Sequence, residues 1–302
     1  WVMGALLLLE YGLAASVVAV GWSGYVVSLL RDYGIGVPPA LTGPMGHSLT
    51  LADGTVIETV FNVPALLVCL ALAVLLVIGV SESATVNNVI VAIKAGVIVA
   101  FIVIGGVIVF RNFDTLALNW EPFIPEPTGR EGEFGWGGIL RAASIVFFAY
   151  IGFEAVSTAG QEARNPARDM PFGIIGSLLL CTLLYILVSI VLTLVVNYQQ
   201  LNVPDPVAVA VDSFGPSWGW FAKIIKAGAI IGLTSVVLVL MYGQTRIFYT
   251  MARDGLLPRM FSTVHPTFKT PWVNTVLVGL LTGFAAGAVD INTLGDMTSD
   301  GT

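Results

Sequence analysis

Apolar runs of about 18 residues or more, the length at which a helix can cross a bilayer, recur along the whole chain. No soluble core of this size has room for so many. The composition agrees, because only 11% of the 302 residues are charged and 56% are hydrophobic, whereas a soluble domain carries about 25% charged residues. The sequence therefore predicts an all-α, polytopic transmembrane helix bundle. Its spans fall at about 1–30, 61–80, 87–110, 138–163, 172–196, 217–250 and 272–289, with an eighth starting where the sequence stops. We read these as one transmembrane domain over 1–302, truncated: Trp1 already lies in apolar sequence, and LGDMTSDGT ends without a tail.

One span departs from the rest. In SIVFFAYIGFEAVSTAGQEARNPARDMP (144–171), Gly152 and Glu154 fall where lipid should lie. Glycine inside a helix costs roughly 1 kcal/mol relative to alanine, and a carboxylate at the bilayer centre costs at least about 2.5 kcal/mol. Gly152 alone could be a small residue at a helix contact. Together with Glu154 and the charged, Pro-bearing turn behind it, it predicts a helix broken at membrane depth. Freed backbone groups survive there only where they line a cavity or hold a ligand, so the break points to transport. Glu154 is expected to accept hydrogen bonds from the unwound N–H groups and support the break.

Other residues are costly in the same way. Lys94, six residues into the third span, could snorkel to the interface. Alternatively its ammonium is buried against helix carbonyls, where a proton can leave and return during a cycle. Glu10 in LLLLEYGLAAS is either a hydrogen-bonding partner between helices or a carboxylate facing the cavity, which would favour a cationic side chain. Thr234 and Ser235, in mid-span, either bond back to their own helix or coordinate a cation or amine. Gly228 and Gly232 form a GxxxG face suited to close packing. Pro171 is placed in the first turn of the fifth span, Ala52-Asp53-Gly54 reads as a turn, and 197–216 and 111–136 read as loops, the latter at the interface. Arg31, Lys223 and Lys226 are counted among the charges outside the membrane, and the positive charges balance too evenly to orient the chain.

Several functions are excluded. A net charge of −6 without a basic cluster argues against nucleic acid. Cys69 and Cys181 fall within apolar spans, and His47 and His265 in loops. No metal site, disulfide framework or cofactor motif is expected, and HExxH, GxSxG and paired aspartates are absent from the spans, which argues against an enzyme.

FFAYIGFEAVSTAGQEARNPARDMP resembles the sixth-helix signature of bacterial cationic amino acid transporters of the amino acid–polyamine–organocation superfamily. LLLLEYGLA is similar to that family's third helix, Lys94 in VNNVIVAIK matches its fifth-helix lysine, and GLTSVVLVLMYGQTRIFYTMARDGLLP its eighth. The resemblance covers nearly the whole chain. It implies an inverted-repeat fold of five helices plus five, of which this chain would hold the third to the ninth and the start of the tenth. The glycine-rich first helix, which would hold a substrate carboxylate, would be among the missing helices of the parent chain. The resemblance also puts a substrate ammonium on the carbonyls of Phe148, Ala149 and Ile151 beside Gly152, with Phe153 as the gating aromatic. Glu10 would reach a basic side chain through water, and Lys94 would sit near Thr234 and Ser235. It puts the loops after spans four and six in the cytoplasm. Asp300 stands where the family usually has an apolar residue before Gly-Thr.

The reading is a secondary permease in the cell membrane, moving cationic or small neutral amino acids by proton symport or antiport, with membrane lipid around it. The fragment is expected to be inactive alone. The alternative is a membrane receptor that binds an amino acid without moving it.

Overall fold

In the computed structural model, which describes residues 2–50, 56–79, 84–127, 133–150 and 165–301, the apolar runs are helices. They are α1 (Val2–Asp32), α2 (Val63–Ile78) and α3 (Ala84–Arg111), then α5 (Gly135–Val146) running into a 3₁₀ turn at Phe147–Tyr150. After these come α6 (Pro166–Val195), α8 (Gly219–Arg253), α9 (Trp272–Ala288) and α10 (Ile291–Gly301). Among the described residues, four stretches are long and apolar enough to cross a membrane: Gly4–Asp32, Asn88–Arg111, Ala167–Val195 and Pro216–Arg253. Val63–Ile78 and Trp272–Ala288 are shorter apolar helices. The 35 residues of α8 span about 52 Å, well beyond the roughly 30 Å of hydrocarbon. Its end falls at Asp254, with Gly255 behind it at φ +76°, the left-handed position that glycine adopts freely after a helix.

The loops hold more structure than their composition suggests. Within 31–60 lies an antiparallel hairpin, β1 (Ser48–Thr50) with β2 (Val56–Glu58), in which Leu49 faces Ile57. The Ala52-Asp53-Gly54 turn lies outside the described residues. Within 197–216 lies a short helix, α7 (Pro206–Asp212), starting on a proline at a position where its missing N–H costs nothing. The loop behind α3 contains α4 (Phe113–Leu116) and is pinned to the end of α6: Trp120 Nε1 donates to Thr193 Oγ1 at 2.9 Å, and Asn119 Nδ2 to the Leu194 carbonyl at 2.6 Å.

Pro171 is not in the first turn of its helix. α6 starts at Pro166, and Pro171 lies inside it. The reason is local, since Pro166 occupies the favoured first position and the Asn165 N–H donates to Asp169 Oδ2 at 3.3 Å. That bond satisfies a donor that helix formation would otherwise leave open.

The chain divides into two compact units, Trp1–Val97 with Asn202–Thr302, and Ile98–Leu201. The first is built on close helix approach. α1 and α8 run antiparallel, with Gly4 against Met251, Gly12 against the Gln244 amide and Gly243 against the Tyr11 ring. A Cβ at Gly12 would stand 2.6 Å from Gln244 Nε2, and one at Gly243 2.9 Å from Tyr11. α2 and α9 pack in the same manner, through Gly279, Gly283 and Gly287 against Ala73, Leu66 and Phe61. Lipid tails are as apolar as leucine, so helices in a bilayer associate through such contacts and hydrogen bonds. Asn62, the N-cap of α2, donates to Ser23 Oγ at 2.8 Å, and Ser16 Oγ, 2.8 Å from the Gly12 carbonyl of its own helix, lies 3.1 Å from the Thr282 carbonyl of α9.

The GxxxG face of α8 also packs closely. Gly228 lies against Val97 and Gly232 against the stem of Lys94, both on α3. Gly228→Leu is expected to overpack this contact at a cost of about 1–3 kcal/mol. A lowered thermal midpoint of the detergent-solubilised protein would register it, and an unchanged midpoint would mean the two helices separate freely.

In the second unit, α6 is apolar on its outside. Ile175, Leu179, Leu183 and Ile186 are each more than half exposed and recur at helical spacing. Such a stripe suits a lipid surface and is foreign to a water-facing one.

Candidate functional site

α5 ends at Val146, and the next turn, Phe147–Tyr150, is 3₁₀. Of the residues assigned to the break, Phe148 and Ala149 lie on that turn; Ile151, Gly152, Phe153 and Glu154 lie outside the described residues. Two hydroxyls of the second unit engage the turn. Tyr185 Oη, on α6, donates to the Ala149 carbonyl at 3.0 Å. Tyr150 Oη lies 2.7 Å from Thr182 Oγ1. Thr182 commits its single proton to the Leu178 carbonyl at 2.7 Å, so Tyr150 is the donor of the pair. The two tyrosine rings meet edge to face at 5.6 Å and 67°.

Glu10, Lys94, Thr234 and Ser235 belong to the first unit. Thr234 Oγ1 donates to the Ile230 carbonyl at 2.7 Å and accepts from Trp22 Nε1 at 2.8 Å, while Ser235 Oγ donates to the Gly232 carbonyl at 2.9 Å. Both hydroxyls thus bond back to their own helix. Lys94, half-buried, runs its stem along Gly232, which brings it to the level of these two residues. Glu10 is buried at another level. It precedes Trp22, the partner of Thr234, by twelve residues of α1, or about 18 Å along the axis. The structure thus groups Lys94 with Thr234 and Ser235 and separates Glu10 from them.

Near Glu10 a cleft of about 340 Å³ opens between α1, α8 and α9, lined among others by Leu8, Gly12, Ser16, Gln244, Phe248 and Thr282. Gln244 Nε2 donates to the Leu8 carbonyl at 2.8 Å, while its Oε1 is buried without a partner among the described residues. No group of three or more metal-ligating side chains occurs among the described residues.

Sequence reasoning missed Lys226. It was counted as a charge outside the membrane, yet it is fully buried, with Nζ 2.7 Å from Asp32 Oδ2 and 2.7 Å from Asp212 Oδ1. It joins the ends of α1 and α7 to the first turns of α8. Asp205, the N-cap of α7, has its carboxyl pushed up by burial, with Asp212 adding to the rise and Arg31 and Lys226 opposing it. The available signal was the placement of Asp32 and Asp212 at the ends of segments leading into and out of the loops. Tyr185 was missed as well, because a tyrosine within an apolar run carries no mark of its partner.

Long apolar helices and close glycine contacts define a multi-pass membrane protein. The family described as amino acid permease matches residues 1–300, and the chain belongs to it. It is 45% identical over 296 residues to the methylthioribose transporter of Bacillus subtilis (strain 168), covering 98% of this chain and 59% of that protein. It is 43% identical over 303 residues to the branched-chain amino acid permease BcaP of the same organism, covering 100% of this chain and 60% of that protein. The vacuolar cationic amino acid transporter 4 of Arabidopsis thaliana is 34% identical over 304 residues, covering 100% of this chain and 47% of that protein. The chain thus spans about half to three-fifths of the length of these relatives. All are permeases or transporters, none an enzyme, and their range extends beyond the cationic transporters whose motifs the sequence resembles.

Proposed function

We propose that the protein is a secondary amino acid permease working by alternating access, driven by protons or by exchange, and taking cationic or small neutral amino acids. The observation that carries this reading is the change from α to 3₁₀ geometry at Phe147–Tyr150 in a chain of this family. Carbonyls at the end of a helical segment carry partial negative charge and suit an α-ammonium. Phe148, Ala149 and Ile151 supply them, with Gly152 giving room and Phe153 closing over the substrate. Glu154 holds the unwound backbone. Lys94, with Thr234 and Ser235, serves the coupling proton. Glu10 reaches a basic side chain. The 302 residues, which span 59–60% of the two bacterial relatives, are expected not to transport on their own.

Uptake into proteoliposomes tests this, using the protein expressed from its whole reading frame and the 302-residue chain beside it. Labelled arginine, alanine and leucine are offered with and without a pH gradient, and methylthioribose is added as competitor because one relative is named for it. Gradient-stimulated uptake of an amino acid by the first protein alone is expected. Binding without accumulation would make it a receptor, and methylthioribose transport without amino acid uptake would overturn the substrate class. Glu10→Gln is expected to raise the KM for arginine roughly three- to tenfold, as the loss of a hydrogen bond to a charged group would, and to change that for alanine little. Equal losses would make Glu10 a structural partner between helices.

A further inference from the structure

We propose that Tyr185 is a positioning residue for substrate recognition, its hydroxyl fixing the Ala149 carbonyl in the direction that an amine must meet. The inference rests on the permease reading above. Ala149 lies on the 3₁₀ turn that follows α5, and the direction of a carbonyl at such a place depends on the groups that bond to it. Tyr185 Oη donates to the Ala149 oxygen at 3.0 Å, and a carbonyl oxygen has two lone pairs, so this bond takes one and a second donor can be accepted beside it. The hydroxyl that donates this proton keeps its own lone pairs, so an ammonium seated at Ala149 meets a second acceptor beside the first. A second link braces the same turn, since Tyr150 donates to Thr182 Oγ1 at 2.7 Å, one turn before Tyr185 on α6. The edge-to-face contact of the Tyr150 and Tyr185 rings, at 5.6 Å, keeps both hydroxyls on one side of α6. Two neighbouring residues of the 3₁₀ turn are thus tied to two residues of one helix, and movement of α6 would carry the carbonyl with it.

Tyr185→Phe removes the donor and keeps the ring. Kinetics in proteoliposomes with the protein expressed from its whole reading frame should show the KM for an amino acid raised about three- to tenfold, the equivalent of one lost hydrogen bond, with Vmax within about twofold. Competition by the corresponding carboxylic acid without an α-amino group should be unchanged, because only the amine meets Ala149. Tyr150→Phe, which removes the second link, should raise KM in the same direction by less, and it carries the test if Tyr185→Phe fails to insert. An unmoved KM in these variants, or a parallel loss of affinity for the amine-free analogue, would overturn the proposal. Absence of amino acid uptake by the unsubstituted protein would overturn the permease reading and this inference together, whereas normal uptake with an unmoved KM overturns the inference alone.

Discussion

Lys226→Met is expected to destabilise the protein by about 3 kcal/mol, the low end for breaking a buried ion pair. The lysine is completely buried and faces two carboxylates, so its loss leaves Asp32 and Asp212 close together with no cation between them. The low end applies because the Asp32 and Asp212 side chains keep 21% and 38% of their surface exposed, and water screens part of the repulsion. The burial of Asp205 already opposes its ionisation, and Lys226 is one of the two cations easing it, so the variant strains a third acid as well. Thermal unfolding in detergent reads the effect. Lys226→Met combined with Asp212→Asn should recover a substantial part of the loss, since one of the repelling charges is then gone. A single variant as stable as the parent would mean that water or counter-ions already neutralise the two acids. A double variant no better than the single would place the loss in packing of the lysine stem.

That cluster marks a boundary of what the sequence discloses. Helices long enough to cross a membrane declare themselves by composition alone, and α1, α3, α6 and α8 contain stretches of that length and hydropathy. The GxxxG pair at Gly228 and Gly232 was readable too, because small residues four apart must share a face and only close packing makes use of it. Lys226 was not readable. A lysine seven residues into a helix looks the same whether it points to water or to two acids from α1 and α7, and the difference lies in the fold of a loop. α7 itself was hidden because seven residues, Pro206–Asp212, are too few to show a helical period against DP and GP turn signals. The start of α6 was misjudged for the opposite reason. Two prolines compete for its first turn, and the Asn165–Asp169 bond decides for the earlier one. At the proposed site, sequence singled out Phe148 and Ala149 but not the side chain that bonds to the turn they lie on. The donor to Ala149 comes from a residue 36 positions away, on a helix whose apolar sequence gives no reason to single out Tyr185.

Lys94→Ala is expected to reduce pH-gradient-driven accumulation to background. Two readings of this lysine were open, a snorkelling side chain and a coupling cation. The stem follows Gly232 of α8 and is half-buried. Stem packing alone would survive a change of head group, and for that reason Lys94→Met is the informative companion. It keeps the apolar length lying on Gly232 and removes only the ammonium. If Lys94 carries the coupling proton, both variants lose the response to the gradient, while exchange of labelled for unlabelled amino acid continues at equal pH on the two sides. If the ammonium snorkels, Lys94→Met retains gradient-driven uptake and only Lys94→Ala suffers, through the lost contact with α8. The adjoining hydroxyls give an independent check. Thr234 donates to its own helix and accepts from Trp22, so Thr234→Val strips the Trp22 indole N–H of its acceptor and should destabilise the packing of α1 on α8. Ser235 bonds only within α8 among the described contacts, and Ser235→Ala removes a hydroxyl without orphaning a donor. A gradient response lost in Ser235→Ala at unchanged stability would therefore tie that hydroxyl to the proton step, and a response kept there would leave Lys94 to carry the step without it.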